Sequence, residues 1–345
     1  MAIQNYSLHP GRLEEMAGEI IGHAMHTEVL STAVTNMDMP KNKSDNLTVR
    51  SWVPYGGTVA APNTFSSVTA ESHITQEGVT PAADTIVPRD VNIKLNQYAA
   101  LYALTDKDYD LYEDDITAAM KEQVAERMGL VRELVIYGKM KAATNKFYSG
   151  GTSRATVDEG INERLISNIV RSMQANHGVR LTKILSPSTA YGTTSVEAAY
   201  ICYVHTDAEY DLRRLPGFRE VAGYGQRQVI SQFELGTWQN VRFVTSPELA
   251  PIADSGAAVG STGLKSTSAS NIDVYPMIFL AKDAFAALKL RGRDVMEPSV
   301  ILPNQKDSSD PLGQRGYIGA KFYMGAEVLN PGWISVAEVG VTALT

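Results

Sequence analysis

Cysteine is nearly absent from this sequence: of 345 residues, only Cys202 carries a thiol. An internal disulfide is thereby excluded, and the composition suits synthesis in a reducing cytosol. Cys202 lies in the apolar run YICYV and reads as a small buried hydrophobe. No apolar stretch approaches the roughly 18 residues of a membrane-spanning helix. The N-terminus, MAIQNYSLHPGRLEE, lacks the basic-then-apolar layout of a secretory signal. Equally missing are the phosphate-cradling G-x-x-x-x-G-K-[ST], G-x-G-x-x-G after a strand, the G-x-S-x-G nucleophile elbow, H-E-x-x-H and C-x-x-C. The six histidines are scattered. A Cys202–His205 dyad rests on sequence spacing alone, which says little because catalytic partners meet in space. No catalytic residue, cofactor or metal ligand is expected from the sequence.

Positive charge is also scarce. Lysine and arginine total 31 against 38 acidic residues, a net charge of −7. Tight nucleic-acid binding needs clustered cations to neutralise phosphates, so this balance argues against it. A protein that only encloses nucleic acid would suit it better. Two patterns resemble metal ligand sets. Glu19, His23 and His26 share a helical face at i, i+4 and i+7, but no other ligand cluster supports a site. Asp106, Asp108 and Asp110 alternate as in a calcium loop, yet Leu111 and Thr117 stand where glycine and glutamate are required. Helix capping explains these acids better.

The longest regular feature runs from Asp114 to Lys146 without a proline. A helix of about 33 residues would span about 50 Å, more than one ordinary domain needs. Ile116, Met120, Val124, Met128, Val131, Val135 and Ala142 form one apolar stripe, widened by Leu130, Leu134 and Tyr137. Glu122, Glu126 and Glu133 project on one flank, and Lys121, Arg132 and Lys139 on the other. No acid stands three or four residues from a base, so intrahelical pairs are missing. Either these charges face water, or copies of the helix lie side by side with acidic flank against basic flank. Gly129 and Gly138 each cost about 1 kcal/mol relative to alanine inside a helix. They mark a close neighbour or a bend, and are the candidate hinge.

Along the chain, residues 11–30 read as a short amphipathic helical arm. Leu47, Val49 and Val53 alternate with polar residues, as do Val91, Ile93 and Leu95, giving two strands. The 37-odd residues between them carry Pro54, Gly56, Gly57, Pro62, Pro81 and Pro88, and read as an extended hairpin leaving the body of the protein. Its Trp52, Tyr55 and Phe65 are expected to be poorly buried in a lone subunit and better used against a neighbour; disorder is the plainer alternative. Ile161–Asn176 reads as a second amphipathic helix, and LTKILSP, AAYICYVHT and VRFVTSP as short strands, making an α/β or α+β domain over 161–299. Ser255–Asn271 is low in complexity and reads as a mobile surface loop. VYPMIFLAKDAFAALKL resumes a buried strand followed by a turn or strand. From Gly316 the tail has strand periodicity and is expected to return beside the long helix.

Taken together, TQEGVTPAAD (Thr75–Asp84), LTDKDYDL (Leu104–Leu111), VHTDAEYDLR (Val204–Arg213), ELGTWQNVRFVTSPEL (Glu234–Leu249) and DPLGQRGYIGAKFYMGAEVLNPGWI (Asp310–Ile334) resemble the coat proteins of N-four-like podophages, a family of tailed-bacteriophage major capsid proteins. Thr206 departs from the family, which often has proline there. The resemblance implies an α+β chain with the Hong Kong phage coat fold. Its parts would be an N-terminal arm (1–44), an extended hairpin loop (45–97), a peripheral domain (98–160 and 300–345) with a spine helix at about 114–146, and an α/β axial domain (161–299). It further implies self-assembly into hexamers and pentamers of an icosahedral head that encloses double-stranded DNA, with portal, scaffold and cement proteins as partners and the virion as location. The Gly129 and Gly138 hinge would serve shell expansion. Two rivals stand beside it: the shell protein of an encapsulin-like bacterial nanocompartment, and a soluble α/β enzyme or ligand-binding protein.

Overall fold

The computed structural model describes residues 28–63, 69–75, 77–78, 80, 83–111, 115–181, 198–223, 229–292, 297–306 and 310–344. The expected arm helix up to residue 27, the candidate Phe65 and the expected strand LTKILSP beyond Leu181 lie outside the described residues.

In chain order the strands are β1 (Thr35–Met39), β2 (Asn46–Trp52), β3 (Pro88–Lys94), β4 (Asn96–Thr105), β5 (Lys146–Tyr148), β6 (Tyr200–His205) and β7 (Arg219–Glu220), then β8 (Glu234–Trp238), β9 (Val241–Ser246), β10 (Tyr275–Leu280), β11 (Phe285–Leu290), β12 (Glu297–Ile301), β13 (Arg315–Val328) and β14 (Ile334–Val339). The helices are α1 (Asp106–Leu111), α2 (Ile116–Lys141), α3 (Glu163–Ala175) and α4 (Glu209–Arg213). The chain divides into two compact units, one of residues 1–26, 97–131 and 292–323, the other of residues 27–96, 132–291 and 324–345. The division falls inside α2 and inside β13.

In the first unit, caps begin both helices. The Thr105 hydroxyl donates to Asp108 at 2.8 Å while the Asp108 N–H donates back to the Thr105 oxygen at 3.2 Å. Asp115 accepts the Thr117 hydroxyl and the Ala118 N–H, which hold its carboxyl below the usual range and satisfy an orphan donor of α2. Val124 and Met128 of α2 are buried, as are Leu104 of β4 and Ile318 and Phe322 of β13. Tyr98 stacks on Phe322 with centroids 5.6 Å apart.

The helix is shorter than the 114–146 span expected. It has 26 residues, about 39 Å at the α-helical rise. The chain leaves it because Lys146–Tyr148 pair in parallel with β14, with the Val336 N–H on the Asn145 carbonyl and the Asn145 side chain on Ser335. The buried side also turns. Val124 and Met128 follow the expected stripe, but from Arg132 on the buried positions are Glu133, Ile136, Tyr137 and Met140, about 150° around the helix at 100° per residue. Leu134 and Ala142, placed on the stripe by periodicity, are exposed, and Val135 is half-buried. One stripe cannot describe a helix whose halves belong to different units.

In the second unit a seven-stranded mixed sheet has the order β5-β14-β10-β6-β9-β8-β7. β6 pairs with β9, and β5 with β14, in parallel; the other neighbours are antiparallel. The strands at its centre are buried along their whole length but for His205 at the end of β6, which is why they read as continuous apolar runs. Helix α3 starts at Asn162, whose side chain accepts the Leu165 N–H at 2.8 Å, and lays Leu165, Ile166, Ile169, Val170 and Met173 into the core. A second, smaller core joins Met39, Ile93, Ala286 and Leu288, with Leu47 and Val49 against it, where β1 runs parallel to β11 and β11 antiparallel to β13. A Cβ on Gly325 of β13 would collide with the Lys94 carbonyl, so only glycine allows that approach.

Residues 255–271, expected to be mobile, are tied down. The Ser268 N–H and hydroxyl donate to Asp254, Thr267 donates to the buried Asp273, and bridges pair Ala258 with Asn271 and Leu264 with Thr342. Serine and threonine here supply partners for two acids, a pattern that composition cannot tell from a flexible linker.

Candidate assembly surfaces

Strands β2 and β3 pair through seven residues, Asn46↔Lys94 to Trp52↔Pro88, and so form the expected hairpin. Directly across it the Arg50 guanidinium grips Asp90 with two hydrogen bonds of 2.7 and 2.8 Å. Trp52 and Tyr55 are exposed, as the sequence suggested, and Ile74 and Ile86 of the same connection are 75% exposed. The hairpin does not simply leave the body, however. Asn63 and Asn330 exchange side-chain amide hydrogen bonds, both 2.7 Å, and Arg89 donates to the Leu329 carbonyl at 2.7 Å. Complementary amides pin one limb of the loop to its own chain.

The charged flanks of α2 are narrower than expected. Lys121 and Glu122 are exposed, and Glu126 and Arg132 half-buried. Glu133 is not available to a neighbour: it is buried and its carboxylate accepts the N–H of Val29 at 3.0 Å and of Leu30 at 3.3 Å. The turn Leu30–Ala33 has no side-chain cap of its own, and an acid from 104 residues away stands in for one. Lys139 is already paired with Glu327 at 2.7 Å, though both remain partly exposed. At Gly138 an added Cβ would meet nothing within 4 Å among the described residues, and α2 is continuous through both Gly129 and Gly138.

Three polar constellations, two of them centred on fully buried acids, escaped the sequence. Glu338, fully buried in β14, receives Arg154 through two 2.7 Å hydrogen bonds and Lys146 at 3.2 Å. Burial would raise its pKa, but these cations outweigh it and hold the carboxyl below the usual range. Glu234 and Arg242 sit 3.6 Å apart between β8 and β9, both buried. Asp207 accepts Lys265 at 2.6 Å and the Tyr275 hydroxyl at 2.8 Å, which against its partial burial keep it ionised below the ordinary range. Beside it, burial pushes the His205 pKa down. The His205 Nδ1 accepts the Asp207 N–H at 3.0 Å. No dyad links His205 to Cys202, whose thiol is fully buried and raised by that burial; three positions apart on one strand, the two side chains leave opposite faces. Among the described residues no three or more His, Cys, Asp or Glu converge as a metal site would, and no helix is long and apolar enough to cross a membrane.

No protein-family model and no curated protein matches the chain. Solved structures do. The chain is similar to the capsid of Ralstonia phage GP4, with a TM-score of 0.64 at 11% identity over 100% of both chains. It is similar to the capsid of the cyanophage Pam1, at 0.60 and 12% identity over 99% of this chain and 100% of that one. The head structure of Helicobacter pylori bacteriophage KHP40 gives 0.60 and 12% identity over 99% and 98%. The fold is therefore the α+β Hong Kong phage coat fold that the sequence resemblance implied.

Proposed function

We propose that this chain is a major capsid protein, which assembles with copies of itself into the hexamers and pentamers of an icosahedral phage head around double-stranded DNA. The observation that carries this reading is the match to phage capsid chains from end to end of both partners, at 100% of each in one case. The exposed hairpin apolars fit it, since a monomer leaves them in water at a cost that a neighbour would remove. So does the acidic charge balance, which suits enclosing DNA without gripping it.

In this reading residues 98–160 and 300–345 form the peripheral domain, 161–299 the axial domain and 45–97 the extended loop. Of the α2 charges, the exposed Lys121 and Glu122 and the half-buried Arg132 serve lateral docking. Portal, scaffold and cement proteins are its further partners, and host cytoplasm its place of synthesis. Gly129 and Gly138 act as the hinge that lets α2 bend before the shell expands. The protein works by many modest interfaces and carries no catalytic site.

Negative-stain imaging of the purified chain tests the proposal: closed shells or ring capsomers are expected. Particle diameter and nucleic-acid content separate a phage head from a compartment shell. A small monodisperse oligomer by light scattering, with no shells, would favour a soluble enzyme or binding protein.

A further inference from the structure

A groove of about 330 Å³ opens beside the loop-side end of the β2/β3 hairpin. Its walls are mainly apolar, with Trp52, Pro54 and Pro62 on the hairpin side and Leu329 and Trp333 opposite. The Asn63–Asn330 amide pair ties the walls together, and the Trp333 indole N–H, held on the Asn176 carbonyl at 2.9 Å, fixes that ring in place. Arg89 lines the same groove, as does Asp283, whose carboxylate is already engaged by the Thr35 hydroxyl at 3.0 Å. Its guanidinium donates to a backbone carbonyl, and among the described residues no carboxylate stands within ion-pair distance of it. Burial lowers its pKa with nothing to raise it. A partly desolvated cation beside an apolar recess matches a ligand that carries a carboxylate next to an aliphatic group.

The same hairpin presents such a group elsewhere. Residues Ala70–His73 make a single 3-10 turn, closed by the Ile74 N–H on the Glu71 carbonyl at 3.3 Å. Glu71 and Ile74, three positions apart across this turn, are both exposed to water. No described residue between 69 and 87 lines the groove. Two unlike patches that match in charge and polarity, on one chain and not on each other, are the elements of a heterologous contact between copies, which closes into a ring when its rotation allows.

Resting on the coat-protein reading, we infer that the groove receives the Glu71–Ile74 turn of a second copy, with Ile74 in the apolar recess and the Glu71 carboxylate on Arg89. The contact specifies a direction around the ring, because each subunit gives one patch and accepts the other. It also places Trp52 and Trp333 at the centre of an interface, where aromatic walls contribute most.

The test uses single-cysteine variants of the full chain, Ile74→Cys and Ser51→Cys, the latter in the groove wall; the native Cys202 is fully buried and stays silent. Purified separately, mixed, assembled and treated with copper phenanthroline, they should give a reducible covalent dimer on a gel in amounts several-fold above either variant alone. Particles that form from the mixture without that dimer overturn the inference and leave the coat reading standing. Failure of the unsubstituted chain to form any particle overturns both. A second arm swaps the charges: Glu71→Lys and Arg89→Glu should each lower particle yield several-fold, and the double variant should recover most of it. Equal yields from all of these would exclude the Glu71–Arg89 pairing.

Discussion

Glu338, with no exposed surface, receives Arg154 through both arms of its guanidinium at 2.7 Å. The pair fastens the loop after β5 to the C-terminal strand of the seven-stranded sheet, and Lys146 adds a third contact. Glu338→Gln keeps the shape of the side chain and removes the charge, leaving two cations facing an amide. We expect a loss toward the low end of the roughly 3–5 kcal/mol typical of broken buried pairs, since Arg154 is partly exposed and regains some hydration. Urea unfolding of the unassembled chain measures it; a change below half a kilocalorie or so would mean the clamp is slack.

Acid should destabilise the chain in two stages. His205 has its folded pKa below the unfolded value of 6.5, so below that pH the unfolded state takes up a proton first and stability falls. Glu338 and Asp207 are depressed carboxylates: their contribution is complete above unfolded values of 4.5 and 3.8 and is lost as pH falls through the folded ones. Midpoint denaturant concentration should therefore decline from about pH 6.5 downward and more steeply below about pH 4.5. His205→Gln should remove the first stage and spare the second.

Glu133→Gln should be costly although it lies on the charged flank of a long helix. Its carboxylate serves two backbone donors in a buried site, and hydrogen bonds to a charged acceptor contribute about 1.5–3 kcal/mol. Thermal unfolding should register the loss before any assembly assay does, whereas Glu122→Gln, on exposed helix surface, should leave stability unchanged.

Gly138→Ala should stabilise the unassembled chain by up to about 1 kcal/mol, because among the described residues the added methyl meets no neighbour within 4 Å and the helix gains propensity. If the hinge reading holds, the same substitution shifts the conditions under which shells expand, measured by particle diameter. Stabilisation with unchanged expansion would leave this glycine without a hinge role. Gly325→Ala should instead be strongly destabilising, since the obstacle is the Lys94 backbone.

Lateral docking of α2 is open to a charge swap limited to positions the fold leaves accessible. Lys121→Glu with Arg132→Glu should stop assembly, and adding Glu122→Lys should partly restore it. Normal shells from the first pair would refute the arrangement.

The amino-acid pattern alone determined the local alternations. Leu47 to Val53 and Val91 to Leu95 could be read as a hairpin, and the apolar runs at 200–205, 241–246 and 275–280 as buried strands, because side-chain period and burial are written in neighbouring residues. The match of scattered motifs also gave the fold. Only the tertiary structure decided where the charges went. Glu133, Glu338 and Asp207 look like any other acids along the chain, and their partners, Val29, Arg154 and Lys265, lie 104, 184 and 58 positions away. The same holds for the buried side of α2, which changes where the helix passes from one unit to the next, and for the Asn63–Asn330 clasp. Periodicity reports what a residue's neighbours in sequence are doing; pairing and desolvation depend on neighbours in space, and those exist only once the chain has folded.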